Sequence, residues 1–339
     1  MARAARTAAG GVVFATVWSK IFAGLGTVLG ADAGPSLRFP TAPRERIAIA
    51  SYPFREFIAG REEKSGGGKM ELREFAAHVS RKFNIKKIEP WSEHFRSLER
   101  GYLEELHAAV EKAGGAIVNI AVDGEASPYA TDSAERERAV ALSKRWIDAA
   151  VAIDSPSVRT HIPAANDSNP NVERTAESLK RVAEYGASKN VVVHLENDDA
   201  VSEDPFFLVK VIEEVNSKWL RALPDFGNSV AAHDDEYAYK GIEGMFAHAY
   251  GISHVKETEV GEQGKVAHVD LAKTFEIAKQ HAYKGYFSME WDSPGDPYAG
   301  TAGLIEKTLQ NLSQKALALI SEELAINRVS VGVTERRSL

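Results

Sequence analysis

The sequence predicts one α/β domain, a (β/α)8 TIM barrel, on three observations. Eight short apolar runs alternate with stretches of helical periodicity. The starts of successive runs lie 29 to 40 residues apart, which leaves room for one strand, one helix and two loops. Such alternation is typical of parallel βαβ units, and eight units favour a closed barrel over an open sheet. The glycine fingerprint of the open dinucleotide-binding sheet, G-x-G-x-x-G, does not follow the first run.

The predicted strands are the apolar runs themselves. They cover Ile47–Tyr52, Ile85–Glu89, Ala116–Val122, Pro156–His161, Val191–Glu196, Leu220–Phe226, Ile252–Lys256 and Tyr286–Trp291. Helical stripes predict helices over residues 101–113, 134–152, 173–188, 268–281 and 302–320. The glycine-rich stretch 60–69 follows the first strand, so we expect a mobile loop on the active-site face of the barrel. That loop is either a lid or a plain surface loop.

The ends of the chain differ in composition from the predicted barrel, residues 45–320. Residues 1–33 begin with a segment that contains arginine, continue with an apolar run rich in Ala and Gly, and end in Ala-Asp-Ala. This pattern is typical of a signal peptide with a small-residue cleavage site. It predicts export, to the periplasm, and no stable membrane span in the mature chain. The alternatives are an uncleaved helix or anchor, or a cytoplasmic protein. Residues 34–44 hold three prolines and predict a linker. Residues 321–339 are interpreted as a C-terminal tail.

Composition excludes several classes of function. A chain of 339 residues that is 44% hydrophobic can bury a sizeable core. The formal net charge of −7 and the lack of a basic stripe argue against nucleic-acid binding. Cysteine is absent, which excludes disulfides, thiolate metal sites and a cysteine nucleophile. Assembly into a homo-oligomer is a further possibility that composition does not test.

The carboxyl ends of the last four predicted strands each carry one candidate metal ligand. These are Glu196 in VVVHLEN, Asp225 in LPDFGN, His254 in ISHVKE and Glu290 in YFSMEWD. Each one alone is a weak signal, because a carboxylate after an apolar strand often marks only the return to water. Since barrel enzymes draw their catalytic side chains from this rim, the shared position at the strand end predicts one site. Three carboxylates and one imidazole suit Mn²⁺, Mg²⁺, Co²⁺ or Zn²⁺.

The order Glu, Asp, His, Glu on strands five to eight resembles the xylose isomerase-like barrel superfamily of sugar isomerases and epimerases. The stretch GEQGKVAHVDLAKTFEIAKQHAYKGYFSMEWD, residues 261–292, is similar to the closing unit of that family. The resemblance covers roughly residues 45–315. It implies that Glu196, Asp225, His254 and Glu290 bind one divalent cation, Mn²⁺ being favoured. It also implies that Glu196 and Glu290 transfer protons, and that the substrate is a sugar or sugar derivative.

Further residues near the strand ends are expected to contact the substrate. They are Glu89, His94, Arg159, His161, Lys256 and Asn228. Arg159 and His161 lie two apart and share a face of their strand, where Arg159 either binds substrate oxygens or pairs with a carboxylate inside the barrel. His194 is expected one layer below Glu196. Four aromatic residues form either a wall for a sugar ring or ordinary packing: Phe54, Trp91, Phe226 and Trp291.

Two departures from the family pattern widen the functional prediction. Epimerases of this kind commonly place His three residues after the Asp ligand and Arg six residues after the His ligand. This chain has Asn228 and Val260 there. A metal-dependent isomerase or epimerase is the first hypothesis. The alternative is a lyase or dehydratase on a 3-oxo-sugar or inosose, and the least favoured is a carbohydrate-binding barrel without activity. The acidic charge and single histidine ligand argue against the DNA-repair endonucleases of the superfamily.

Overall fold

The computed structural model describes residues 34–61, 69–198, 204–261 and 264–313. The predicted signal peptide, the predicted C-terminal tail and most of the glycine-rich loop lie outside the described residues. Within the described residues, no helix has the length and apolar character needed to cross a membrane.

The strands are short and the helices mostly long. The strands are β1 (Ile47–Ala50), β2 (Lys87–Glu89), β3 (Ala116–Ile117), β4 (Ile120–Ala121), β5 (Ser157–Thr160), β6 (Val192–Glu196), β7 (Leu220–Leu223), β8 (Ile252–Val255), β9 (Thr258–Val260), β10 (Val266–His268) and β11 (Tyr286–Met289). The helices are α1 (Leu72–Phe83), α2 (Arg100–Lys112), α3 (Ser133–Ala152), α4 (Val172–Lys189), α5 (Pro205–Val215), α6 (Asn228–Ala232), α7 (Asp235–His248) and α8 (Leu271–Gln280). Residues 297–313 form a final helix.

The strands form two parallel sheets that together trace the predicted TIM barrel. One sheet has the order β3-β2-β1-β11-β8 and the other β4-β5-β6-β7. Isolated parallel bridges join the sheets at both seams, between Trp91 and Ala121 and between Asp225 and His254. The ninth and tenth strands pair with each other as an antiparallel hairpin after β8. The parallel direction places the carboxyl ends of all barrel strands on one face, where barrel enzymes carry their sites.

The third predicted strand, Ala116–Val122, is broken in the structure. It forms the two short strands β3 and β4, which belong to different sheets. The break falls at Val118 and Asn119, where the fully buried Asn119 side chain bonds to Glu89 and Ser157. A polar side chain inside the barrel needs such partners, because burial without them is costly.

The stretch predicted as a linker packs against the amino-terminal end of the barrel. The backbone N–H of Leu37 donates to the Tyr250 hydroxyl, which in turn donates to the carbonyl of Pro35. The Phe39 ring meets Tyr250 and Tyr286 edge-on, with centroids 5.5 and 5.6 Å away. These contacts cover the end of the barrel opposite the candidate site.

The helix boundaries follow local sequence signals. The side chains that accept a backbone hydrogen bond at the first turn are Asp132 for α3, Asn171 for α4, Asp204 for α5, Asp234 for α7 and Asp270 for α8. Such caps satisfy backbone N–H groups that have no partner within the helix. Helices α1, α5 and α7 fill intervals in which the sequence analysis set no helix bounds.

Candidate active site

The four candidate ligands converge at the carboxyl end of the barrel. Glu196 ends β6, Asp225 follows β7, His254 lies in β8 and Glu290 follows β11. Each side chain offers one ligand atom, and these atoms all lie within 4.8 Å of one another. All four side chains are buried. The structure therefore brings the whole predicted set together.

His254 lies at the centre of this set and presents its Nδ1 atom to the carboxylates. Nδ1 lies 2.5 Å from Glu196 Oε1 and 3.2 Å from Glu290 Oε2. The Asp225 Oδ2 atom is 3.9 Å from the same nitrogen. These distances make Nδ1 the nitrogen that would bind a cation held among the three carboxylates.

Asp225 is held by its own loop so that one oxygen faces the set. Its Oδ1 accepts hydrogen bonds of 2.7 Å from the backbone N–H groups of Gly227 and Asn228. Its Oδ2 accepts no hydrogen bond within the part of the chain that the structure describes. Burial and the nearby charges of Glu196 and Glu290 raise the pKa of Asp225 to about 8. A buried oxygen without a donor beside two other carboxylates fits a hard or borderline divalent cation.

Lys256 supplies positive charge on the cavity side of the set. Its Nζ donates to Asn228 Oδ1 and Glu259 Oε2, both at 2.8 Å, and lies 3.2 Å from Glu290 Oε2. Burial opposes ionisation of Glu290, but the charges of His254 and Lys256 outweigh it and lower the pKa of Glu290 to about 2. Glu290 is therefore held as a carboxylate.

Arg159 pairs with carboxylates on the other side of the site. Its Nε lies 2.6 Å from Glu196 Oε2, and its Nη1 donates to Asp123 Oδ1 at 2.8 Å. The guanidinium is almost fully buried. Of the two roles that the sequence left open, the structure shows the pairing with a carboxylate inside the barrel.

An open cavity of about 960 Å³ lies in front of the set. Glu196 and Glu290 line it, whereas Asp225 and His254 do not. Among the described residues, the two predicted proton-transferring groups are thus the two candidate ligands that a bound molecule can reach. A cavity of this size accommodates a small organic ligand.

Four of the six predicted substrate residues line this cavity: Arg159, His161, Asn228 and Lys256. Glu89 and His94 do not line it, and the expectation for these two is corrected. Glu89 is completely buried and lies against His254 Nε2. The His94 ring is buried with Nδ1 at 2.8 Å from Ser51 Oγ.

The predicted aromatic wall is only partly present. Trp91 lines the cavity and donates through Nε1 to Asp123 Oδ2 at 2.6 Å. Phe54 and Phe226 are fully buried core residues. The Phe226 ring packs edge-on against Phe275, with centroids 5.3 Å apart. Tyr52, which the sequence analysis did not single out, also lines the cavity.

His194 lies one layer below Glu196, as expected. Its Nε2 accepts a hydrogen bond from the Gly251 backbone at 3.3 Å. Burial lowers the pKa of His194 to about 3, so the ring is neutral and packs in the buried interior of the barrel.

A second group of side chains of the metal-ligand type was not foreseen. Asp123, His161 and Asp198 each offer a ligand atom, all within 4.8 Å of one another. The Arg159 guanidinium already pairs with Asp123 and lies 3.7 Å from Asp198. Asp123 lies two residues after β4 and Asp198 two residues after Glu196, the end of β6. Both could have been predicted from the sequence by including the two residues that follow each strand.

Comparison with known proteins supports the architecture. No curated protein sequence matches the chain. Among solved structures, a 3-keto-D-glucoside 4-epimerase from E. coli superposes with a TM-score of 0.57 at 14% identity, covering 78% of this chain and 98% of that one. D-allulose 3-epimerase from Methylomonas sp. gives 0.62 at 16% identity, with 81% and 100% covered.

A xylose isomerase-like TIM barrel protein from Mycobacterium smegmatis, solved in complex with magnesium, gives a TM-score of 0.61 at 18% identity. The superposition covers 84% of this chain and 98% of that one. At these identities the structures show a shared fold. The sequence profile of the family described as xylose isomerase-like TIM barrel matches residues 78–314, more than half of the chain. The chain therefore belongs to the xylose isomerase-like TIM barrel family.

Proposed function

We propose that this protein is a divalent-metal-dependent sugar isomerase or epimerase. The observation that carries the proposal is the arrangement of Glu196 and Glu290. Both belong to the converging set of four ligands, and both line the cavity. The similarity to solved sugar epimerases supports the same class of reaction.

The reaction requires removal of a proton from the carbon next to a carbonyl group. Glu196 and Glu290 come from β6 and from the end of β11, which are separated in the barrel by β7 and β8. They therefore reach the cavity from different strands. We infer that one carboxylate takes the proton while the C–H electron pair moves toward the carbonyl oxygen. A proton then returns either from the same residue to the neighbouring carbon, or to the opposite face of the first carbon from the other glutamate after that residue has gained a proton from water.

Glu196, Asp225, His254 and Glu290 would hold the cation. When bound, a divalent cation supplies positive charge beside the oxygen on which negative charge develops. Arg159 and Lys256 hold the two proton-transferring carboxylates in place through ion pairs of 2.6 Å to Glu196 and 3.2 Å to Glu290. Asn228, His161 and Trp91 also line the cavity and are proposed to contact the sugar hydroxyls and ring.

The test is exchange of a substrate C–H proton with solvent D₂O. The protein is incubated with a panel of ketoses and 3-oxo-glycosides, with Mn²⁺ or with EDTA, and deuterium incorporation is followed by NMR. We expect exchange that depends on the cation. Absence of exchange across the panel in protein loaded with the cation would exclude the proposed reaction.

The variant Glu290→Gln tests the proposed proton transfer directly. The amide keeps the size of the side chain but cannot accept the proton, so we expect turnover of an identified substrate to fall by about 10²- to 10⁴-fold. The matched control is Glu276→Gln on the exposed face of α8, where the carboxylate pairs only with Lys279 among the described residues. Equal turnover in wild type and Glu290→Gln would contradict the role of Glu290.

A second candidate is a lyase or dehydratase on a 3-oxo-sugar or inosose. It is favoured by Asn228, which accepts a hydrogen bond from Lys256 at the position where the related epimerases commonly carry a histidine. The same proton abstraction would then expel a hydroxyl or an aglycone from the next carbon. Mass spectrometry separates the candidates, because isomerisation conserves mass whereas elimination releases water or the aglycone.

Export of the chain also stays a prediction, and sequencing the amino terminus of the secreted protein tests it.

A further inference from the structure

Glu89 lies on the far side of His254 from the three carboxylates. Its two oxygens are 3.0 and 2.9 Å from His254 Nε2, so the carboxylate faces the ring edge with both atoms. Both side chains are completely buried. Glu89 is the last residue of β2 and is 165 residues from His254 in sequence, so only the tertiary fold creates this contact.

The Glu89 carboxylate is itself held by a buried polar network. The Asn119 amide donates through Nδ2 to Glu89 Oε1 at 2.7 Å. The Oδ1 atom of Asn119 accepts a hydrogen bond of 2.6 Å from the Ser157 hydroxyl. These bonds hold the side chain of Asn119 at the point where the third predicted strand is broken. A buried network whose members are satisfied in this way is rigid.

The geometry assigns the two ring nitrogens of His254 to different tasks. An ionised carboxylate can only accept hydrogen bonds, so the contact requires that Nε2 carry a proton. Nδ1 faces Glu196, Asp225 and Glu290, so by the same rule it carries a proton in the absence of a cation. A cation bound among these carboxylates would take the place of that proton at Nδ1, while Nε2 keeps its own. Buried carboxylates behind ligand histidines set the tautomer and the ring orientation in many metal sites.

We propose that Glu89 is a positioning residue that orients His254 for the cation and holds it in the Nδ1-binding tautomer. The inference rests on the cation site of the proposed function. It assigns Glu89 to the support of the metal centre rather than to the substrate. Glu89 does not line the cavity, and its direct contact with the candidate ligand set is through His254.

The experiment compares Mn²⁺ affinity in wild type and Glu89→Gln, measured by competition with a chromogenic chelator. Glutamine keeps the volume but removes the charge that holds the Nε2 proton, so we expect Mn²⁺ binding to weaken by about 10- to 100-fold. The matched control is Asp292→Asn, which removes a carboxylate of the same cavity that pairs with Arg55. We expect less than a threefold change there. Unchanged affinity in Glu89→Gln, or an equal loss in both variants, would overturn the proposal.

A second readout follows the ring itself. In protein labelled with ¹⁵N-histidine and loaded with Mg²⁺, the His254 Nε2–H proton should give a slowly exchanging downfield NMR signal. In Glu89→Gln this signal should move upfield or exchange faster, because the hydrogen bond to a neutral amide is weaker than that to a carboxylate. An unchanged shift and exchange rate in the variant would contradict the assignment. If circular dichroism shows that Glu89→Gln does not fold, Asn119→Ala replaces it. This variant removes the 2.7 Å bond to Glu89, and we expect at least threefold weaker Mn²⁺ binding, with unchanged affinity again counting against the proposal.

These experiments distinguish a failure of the positioning role of Glu89 from a failure of the proposed isomerase function. Wild type that binds Mn²⁺ but exchanges no substrate proton would refute the isomerase while the Glu89 comparison still stands. Wild type that exchanges protons and a Glu89→Gln variant that binds Mn²⁺ normally would refute only the positioning role. Wild type that binds no divalent cation would overturn both.

Discussion

A divalent cation is expected to stabilise the folded protein against heat. Three buried carboxylates and His254 Nδ1 lie within 4.8 Å of one another only in the folded chain. Since the unfolded chain offers no comparable site, the binding free energy adds to the free energy of unfolding. Addition of Mn²⁺ to protein stripped with EDTA should therefore raise the melting temperature.

The size of the shift can be worked out from general thermodynamics. Free cation at one hundred times its dissociation constant contributes about 2.7 kcal/mol. Unfolding a domain of roughly 300 residues carries an entropy of about 0.6 kcal/mol/K, at about 2.1 cal/mol/K per residue. The ratio predicts a rise of about 4 to 5 °C. Scanning calorimetry or the fluorescence of the buried Trp146 measures it.

Asp225→Asn is the variant that isolates the site. The amide oxygen can still accept the two backbone hydrogen bonds of 2.7 Å that shape the loop. The NH₂ group then replaces Oδ2, the oxygen that faces the other ligands, and cannot bind a cation. We expect the variant to fold and to lose most of the Mn²⁺-induced shift. The reasoning is refuted if millimolar Mn²⁺, Mg²⁺ and Co²⁺ all leave wild type unchanged, or if the variant responds as wild type does.

Two further predictions concern the scaffold. A Cβ at Gly241 on α7 would lie 1.9 Å from the Pro205 ring, so Gly241→Ala should cost about 1 to 3 kcal/mol of unfolding free energy in urea. Gly303→Ala, with nothing within 4 Å of the new Cβ, should stabilise by up to about 1 kcal/mol, and a similar loss in both would contradict the packing argument. Hydrogen bonds from the loop before α3 lower the pKa of Asp167 to about 2. Its contribution to stability is therefore present above pH 4 and is lost as the pH falls toward 2. The stability gap between wild type and Asp167→Asn should close over that range, and a gap independent of pH would exclude the carboxylate as its source.

The strand-end rule predicted the ligand set because it depends on local sequence. Each apolar run predicts a strand, and the end of the run marks the carboxyl end of that strand. In a parallel barrel all these ends lie on the same face, so residues at the ends of different runs are expected to lie close together. Glu196, Asp225, His254 and Glu290 all follow from this rule, and the structure brings them together. Glu89 also ends its strand, as the rule predicts, but its side chain contacts His254 and does not line the cavity, so the expectation that it contacts the substrate was wrong.

Two further differences between the sequence predictions and the structure also come from contacts between residues far apart in sequence. Phe226 follows Asp225 at the rim, but its side chain enters the aromatic core between β7 and the helices, where it meets Phe275. The break in the third strand lies beside Asn119, whose side chain has partners in β2 and β5. Neither the direction of a side chain at a strand end nor the position of a break is encoded in apolar periodicity.

The sequence by itself determined the barrel, the family resemblance and the four candidate ligands, because each depends on the period and order of residues along the chain. Only the tertiary structure decided which ligands face the cavity, which nitrogen of His254 is presented to them, and that Arg159 pairs with Glu196. Those properties depend on distances between strands far apart in sequence. They arise when the barrel closes and brings side chains of opposite charge together in its buried interior.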